Sequence, residues 1–194
     1  MTLRYWRYLI PAILFFGYEL LQLHVMGAIA PLCMEEMGWS ATDTGHISAS
    51  YLVADLLFLL PMGWLLDRYP MKPTLLIAGL LCVGGVFYFG RADSVWEATV
   101  AHALSGIGNA ACFLTCMSLV HQWVPRHRRN LVIGTMITMG MLGGILGQHP
   151  LIAIADGFGW RRALLVDGLL GLLILLAILF FLKENRGSKG EVKE

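Results

Sequence analysis

Glu19 and Asp55 each interrupt the middle of a long apolar run. If those runs cross a bilayer, each carboxyl group sits where a charge costs about 2.5–3.5 kcal/mol on insertion scales, and such residues usually mark transport or pairing. A carboxyl group at that depth can load and release a proton. It can equally hold a static buried hydrogen bond, and both readings stand. Glu19 belongs to a stripe: Phe15, Glu19, Gln22 and Met26 follow spacings of 4, 3 and 4, which put them on one helix face. A second stripe runs through His102, Ser105, Asn109, Cys112 and Cys116, spaced 3, 4, 3 and 4. Gln22 and Asn109 offer amides to a polar solute or to a neighbouring helix. Ser105 and the two cysteines are more simply small packing residues. His24, His102 and His149 fall toward the same half of their runs. Near neutral pH an imidazole can bind a carboxylate or shuttle protons, and each of the three also suits a satisfied core histidine. None stands at metal-ligand spacing within a helix, so no metal is expected. The four cysteines show no CxxC spacing, and neither a nucleotide loop nor a nucleophile–base set points to a cofactor or an enzyme.

The elements that must position these residues are membrane helices. Of 194 residues, 57% are hydrophobic and 14% charged, against about 25% charged in an ordinary soluble domain. Mean hydropathy is +0.68. A net charge of +1 gives no reason to expect nucleic acid. A bilayer core about 30 Å thick needs roughly 20 apolar helical residues, and lipid admits only elements that satisfy their own backbone. Six runs qualify: Tyr8–Ala30, Gly45–Leu66, Pro73–Gly90, Ala98–His121, Leu131–Ile154 and Ala163–Leu182. The expected fold is therefore all-α, an integral membrane bundle of six transmembrane helices over residues 1–186, with a polar tail at 187–194. The first run, with Arg4 and Arg7 before it and Ala28-Ile29-Ala30 near its end, has the look of a signal peptide. Glu19, Gln22 and His24 inside it, its length and Pro31 after it favour a retained helix.

Basic residues orient the bundle. With the amino terminus inside, Arg4, Arg7, Arg68, Lys72, Arg126, Arg128, Arg129, Lys183, Arg186, Lys189 and Lys193 are inside, and Arg91, Arg161 and Arg162 are outside. Both termini are expected in the cytoplasm. Arg126, Arg128 and Arg129 read as topology determinants touching lipid, and Asp167 is expected to be neutralised by Arg161 or Arg162. Four glycines, Gly140, Gly143, Gly144 and Gly147, allow close helix contact in the fifth run, and Pro150 should kink its outer end.

Between the second and third runs stands Gly63-Trp64-Leu65-Leu66-Asp67-Arg68-Tyr69-Pro70-Met71-Lys72-Pro73. It resembles the signature loop of the major facilitator superfamily, Gly-x-x-x-Asp-Arg-x-Gly-Arg-Lys. Gly63, Asp67, Arg68 and Lys72 match; Pro70 replaces the usual glycine and Met71 a basic residue. Asp67 ends its helix at the negative pole of the helix dipole, so it needs a compensating positive partner. His102-Ala103-Leu104-Ser105-Gly106-Ile107-Gly108 resembles the family's fourth-helix motif, with His102 in the arginine position. Phe158-Gly159-Trp160-Arg161 is similar to a common family junction.

The resemblance implies the amino-terminal half of a transporter: two three-helix inverted repeats, with helices 1 and 4 lining a cavity and the signature loop latching the two halves. It implies secondary active transport of a small polar organic solute by alternating access, with Glu19 or Asp55 coupling protons, in a bacterial inner membrane. The expected partners are that solute, membrane lipid and a second half, which a second copy, a separate chain or a missing carboxyl-terminal portion would supply. The substrate and proton pathway would comprise Glu19, Gln22, His24, Asp55, His102, Asn109 and His149. The alternative is a non-transporting relic, regulatory subunit or scaffold.

Overall fold

The computed structural model describes residues 6–182, and within them the side chains outside 6–9, 12 and 123. Arg4, the side chain of Arg7, Lys183, Arg186, Lys189, Lys193 and the tail at 187–194 lie outside the described residues. Six helices form: α1 (Trp6–Met37), α2 (Ala41–Arg68), α3 (Met71–Phe89), α4 (Val95–Trp123), α5 (Arg129–Phe158) and α6 (Trp160–Phe181), with a 3-10 turn at Arg126–Arg128. All six are long and apolar enough to cross a membrane.

α1, α2, α4 and α5 outrun their apolar runs at both ends. α1 stops where Gly38 turns to φ 68°, a conformation that favours glycine at a helix end. Ser40 then opens α2 in a reciprocal capping box: its Oγ accepts from the Asp43 amide at 3.1 Å, and its own amide donates to the Asp43 carboxylate at 2.9 Å. At the end of α4, Arg129 donates to the carbonyls of Val124 at 3.1 Å and His121 at 2.9 Å. A cation there answers the negative pole of α4, so Arg129 is a helix cap. α5 continues through Pro150 to Phe158 before Gly159, at φ 87°, turns the chain into α6.

α1 packs on α5 as α4 packs on α2, and α3 lies on α4 as α6 lies on α1. Exchanging helices 1–3 with 4–6 reproduces this pattern, the mark of two interlocked three-helix repeats. Small residues set the closest approaches. A Cβ on Gly106 would run into the Tyr51 carbonyl, and one on Gly143 would stand 3.2 Å from the Gly17 Cα. The interior separates into two apolar clusters. One gathers Phe15, Leu75, Cys112, Leu119 and Ile178; the other gathers Val25, Ile47, Phe89, Trp160 and Leu164. Between them along the chain fall Glu19 on α1, Ser105 and Asn109 on α4, and Asp167 on α6, with Gln22 one residue past Leu21, so polar groups occupy a middle layer.

Candidate functional site

The middle layer is built on Tyr51. This fully buried residue donates its hydroxyl proton to the Glu19 backbone carbonyl at 3.1 Å and ties α2 to α1. The Glu19 side chain is 1% exposed, and neither carboxyl oxygen has a hydrogen-bond partner among the described residues. Asp55 follows Tyr51 by one helical turn. It is half-buried, within electrostatic reach of Glu19, and its Oδ1 also lacks a partner among the described residues. Cys112 and Cys116 approach Glu19 from α4.

The α4 stripe meets Glu19 through Cys112 and Cys116 only, while His102 turns to α2 and α3 and Ser105 to α3. Phe15, Glu19, Gln22 and Met26 are all buried, as are His102, Ser105, Cys112 and Cys116. Asn109 is half-buried. The resemblance led to the expectation of stripes on a cavity wall; periodicity identifies residues that share a face, and says nothing of which neighbour that face meets. Ser105 Oγ donates to the Cys82 carbonyl at 3.0 Å, a packing bond between α4 and α3.

Gln22 has a specific task. Its Nε2 donates to Asp167 Oδ2 at 2.6 Å, joining α1 to α6, and Asp167 is 2% exposed. The expectation that Arg161 or Arg162 neutralises Asp167 is not met. Arg161 instead pairs with Asp93 at 2.9 Å and donates to the carbonyls of Gly90 at 3.3 Å and Ala92 at 2.9 Å. The arginines begin α6 at the water-facing end, and Asp167 lies roughly 9 Å further along the axis at 1.5 Å per residue.

The histidines separate. The His102 ring is buried between Tyr51 and Phe89, with centroids 5.0 and 5.5 Å away, and its Nε2 has no partner among the described residues. His24 is exposed, with Nδ1 2.7 Å from the carbonyl of Leu20 on its own helix. His149 is exposed on α5, and its neighbour Gln148 donates to the His24 carbonyl at 3.4 Å. Among the described residues, no group of three His, Cys, Asp or Glu side chains is arranged to hold a metal.

In the α2–α3 loop, Asp67 is exposed and Arg68 lies over the Trp64 ring at 4.3 Å. Lys72 donates to the Leu179 carbonyl at 2.6 Å. It therefore binds α3 to the carboxyl end of α6 within the bundle. A Cβ on Gly63 would meet only Leu114 Cδ1, at 3.8 Å, so packing inside this bundle does not demand glycine there. At the opposite end, Trp160 explains the Gly-Trp-Arg junction. It is fully buried, donates to Glu36 at 2.8 Å and carries the Arg161 guanidinium over its ring at 4.4 Å.

Sequence reasoning missed Tyr51 and the buried role of Asp167. The i, i+4 relation of Tyr51 to Asp55 was a usable signal. The Gln22–Asp167 bond spans 145 residues and left no local trace.

The family model described as Major Facilitator Superfamily matches residues 9–194. The chain belongs to the major facilitator superfamily. Its curated relatives include a gallate transporter of Pseudomonas putida, 31% identical over 89% of this chain and 38% of the relative. A probable sulfoacetate transporter of Cupriavidus necator is 28% identical over 84% of this chain and 38% of the relative. A 4-hydroxybenzoate transporter of Pseudomonas aeruginosa is 28% identical over 95% of this chain and 43% of the relative. The chain thus spans about two fifths of the length of the curated relatives it matches. Among solved structures, a bacterial homolog of the human lysosomal transporter Spinster, in an inward-facing and occupied conformation, superposes with a TM-score of 0.83. It is 18% identical, and the match covers 96% of this chain and 46% of that one. The fold of the superfamily, over the share of it that this chain spans, is therefore established, with six helices long and apolar enough to cross a membrane.

Proposed function

We propose that this bundle is one half of a proton-coupled secondary transporter for a small organic acid. A second six-helix half completes it, and alternating access between the halves moves the solute. Glu19 carries the coupling reading: a buried carboxyl group with no hydrogen-bond partner among the described residues, beside the half-buried Asp55. An ionised carboxylate held there permanently would be costly, whereas one that alternately takes up and releases a proton is a working device. Asp55 lies between Glu19 and the exposed flank of α2, and it relays the proton.

The substrate class comes from the relatives, whose named solutes, gallate, sulfoacetate and 4-hydroxybenzoate, are all small organic acids. Asn109, His24 and His149 remain open enough to address such an anion. Gln22 and His102 are buried behind them and hold the helices that present them. Asp67 and Arg68 stand at the bundle's end, where a second half would supply the positive partner that Asp67 lacks among the described residues.

The test is uptake into proteoliposomes that contain this chain with its complementing half, under an inward proton gradient, with the three acids as candidate solutes. Glu19→Gln is expected to express normally and to lose gradient-driven uptake while solute exchange persists. Unchanged gradient-driven uptake in that variant would remove Glu19 from the mechanism. A strictly monomeric chain that supports no flux, with or without a partner, would favour the regulatory or scaffold reading.

A further inference from the structure

A cleft opens between α3 and α6 at the end of the bundle opposite the signature loop. Its volume is about 340 Å³, and its wall includes Phe87, Arg91, Arg161, Arg162, Leu165 and Leu169. That size is typical of a small-molecule site. Charge is unbalanced there. Arg161 is held by Asp93 in the one ion pair among the described residues. Arg91 reaches the Phe87 carbonyl at 3.3 Å, and neither Arg91 nor Arg162 has an ion-pair partner among the described residues. The amino terminus of α6, starting at Trp160, adds the positive pole of a long helix.

Beyond the arginines the character changes within one helix face. Arg162, Leu165, Leu169, Leu173, Leu176 and Phe180 follow spacings of 3, 4, 4, 3 and 4, and the five apolar members are all exposed. They form a continuous apolar stripe running from the guanidinium groups toward the other end of the bundle. Tyr88 is exposed on the neighbouring α3 near the same helix end, the depth at which tyrosines collect at a membrane surface.

We infer that this cleft binds an anionic phospholipid, with its phosphate between the Arg91 and Arg162 guanidinium groups and an acyl chain along the α6 stripe. The two halves of the site select the ligand together. A soluble anion would use the arginines and leave the stripe idle, and a zwitterionic lipid would bring a cationic headgroup against the same arginines.

The experiment uses the protein purified in a neutral detergent, stripped of lipid, and titrated with phosphatidylglycerol, phosphatidylcholine or inorganic phosphate. Bound lipid is counted by native mass spectrometry and Tm is followed in parallel. Phosphatidylglycerol is expected to be retained and to raise Tm well above the effect of phosphatidylcholine, with inorganic phosphate unable to displace it. The double variant Arg91→Gln, Arg162→Gln should weaken phosphatidylglycerol binding roughly 30-fold, from about 1 kcal/mol per basic residue near an anionic surface. Both side chains are exposed, so folding should survive, and the unliganded Tm checks it. Equal retention of both lipids, full displacement by phosphate, or a double variant that binds as well as the parent would each overturn the assignment.

Discussion

Glu19 and Asp167 share one polar layer and are served differently. Asp167 keeps a donor, the Gln22 amide at 2.6 Å, while Glu19 has none among the described residues. Removing a donor from a buried acceptor costs about 1–3 kcal/mol, whereas neutralising a group that had no partner costs little. Gln22→Ala is therefore expected to lower Tm, and Glu19→Gln to leave it unchanged or raise it, measured by thermal unfolding in one detergent. The opposite order would mean that Glu19 has a structural partner. His102 gives a third comparison. Its ring is held by two aromatic neighbours and its Nε2 is unpartnered among the described residues, so His102→Phe keeps the shape and removes an unsatisfied atom. That variant should unfold at or above the parent's Tm. Uptake assayed on the same preparation then separates packing from proton transfer, because a stable His102→Phe protein that has lost coupling places the imidazole in the pathway.

At the scale of helices, glycine position decides how near two axes come. Gly106 faces the Tyr51 carbonyl, while nothing stands within 4 Å of a Cβ built on Gly84. Gly106→Ala is expected to destabilise by about 1–3 kcal/mol, as other overpacked interfaces do. Gly84→Ala should be neutral or stabilise by up to about 1 kcal/mol, through better helix propensity. A scan of Tm across the two variants checks the pair. The same contact links stability to the site, since moving α2 away from α4 shifts Tyr51 and, one turn on, Asp55. At the helix ends the fold relies on side-chain-to-carbonyl bonds, Arg129 on α4 and Lys72 on α6. Conserving the charge at 72 with arginine tests whether the tie needs a compact ammonium group; the expected result is a small loss of Tm.

For the whole molecule, the question is what covers α2 and α5. Leu56, Leu57 and Leu60 on α2 and Leu142, Ile145 and Leu146 on α5 are exposed, as are Leu80 on α3 and Leu173 on α6. Lipid accounts for any of these faces, and a second half would claim α2 and α5. All four native cysteines are buried, so introduced cysteines can report cleanly. In native membranes Leu56→Cys and Leu142→Cys are expected to cross-link to a second half, and Leu80→Cys and Leu173→Cys are not. Orientation is open to a similar check. An impermeant maleimide added outside should label Trp96→Cys, at the end holding Arg91 and Arg161, and should spare Arg126→Cys. The reverse pattern would invert the bundle.

Much of this was written in the sequence. Six apolar runs predicted six helices, because lipid leaves no other way to satisfy a backbone. The superfamily was legible in Gly63, Asp67, Arg68 and Lys72, because a loop at a fixed place after the second span keeps its spacing whatever the helices do. Glu19 and Asp55 stood out because charge is rare in such runs. What only the tertiary structure decided is which faces meet. Cys112 and Cys116 on α4 approach Glu19 on α1, Gln22 reaches Asp167, Arg161 turns to Asp93 and Lys72 closes on α6. Each of those partnerships joins a helix to a different element, and helical periodicity records the direction of a side chain around its own axis, never the element that waits there.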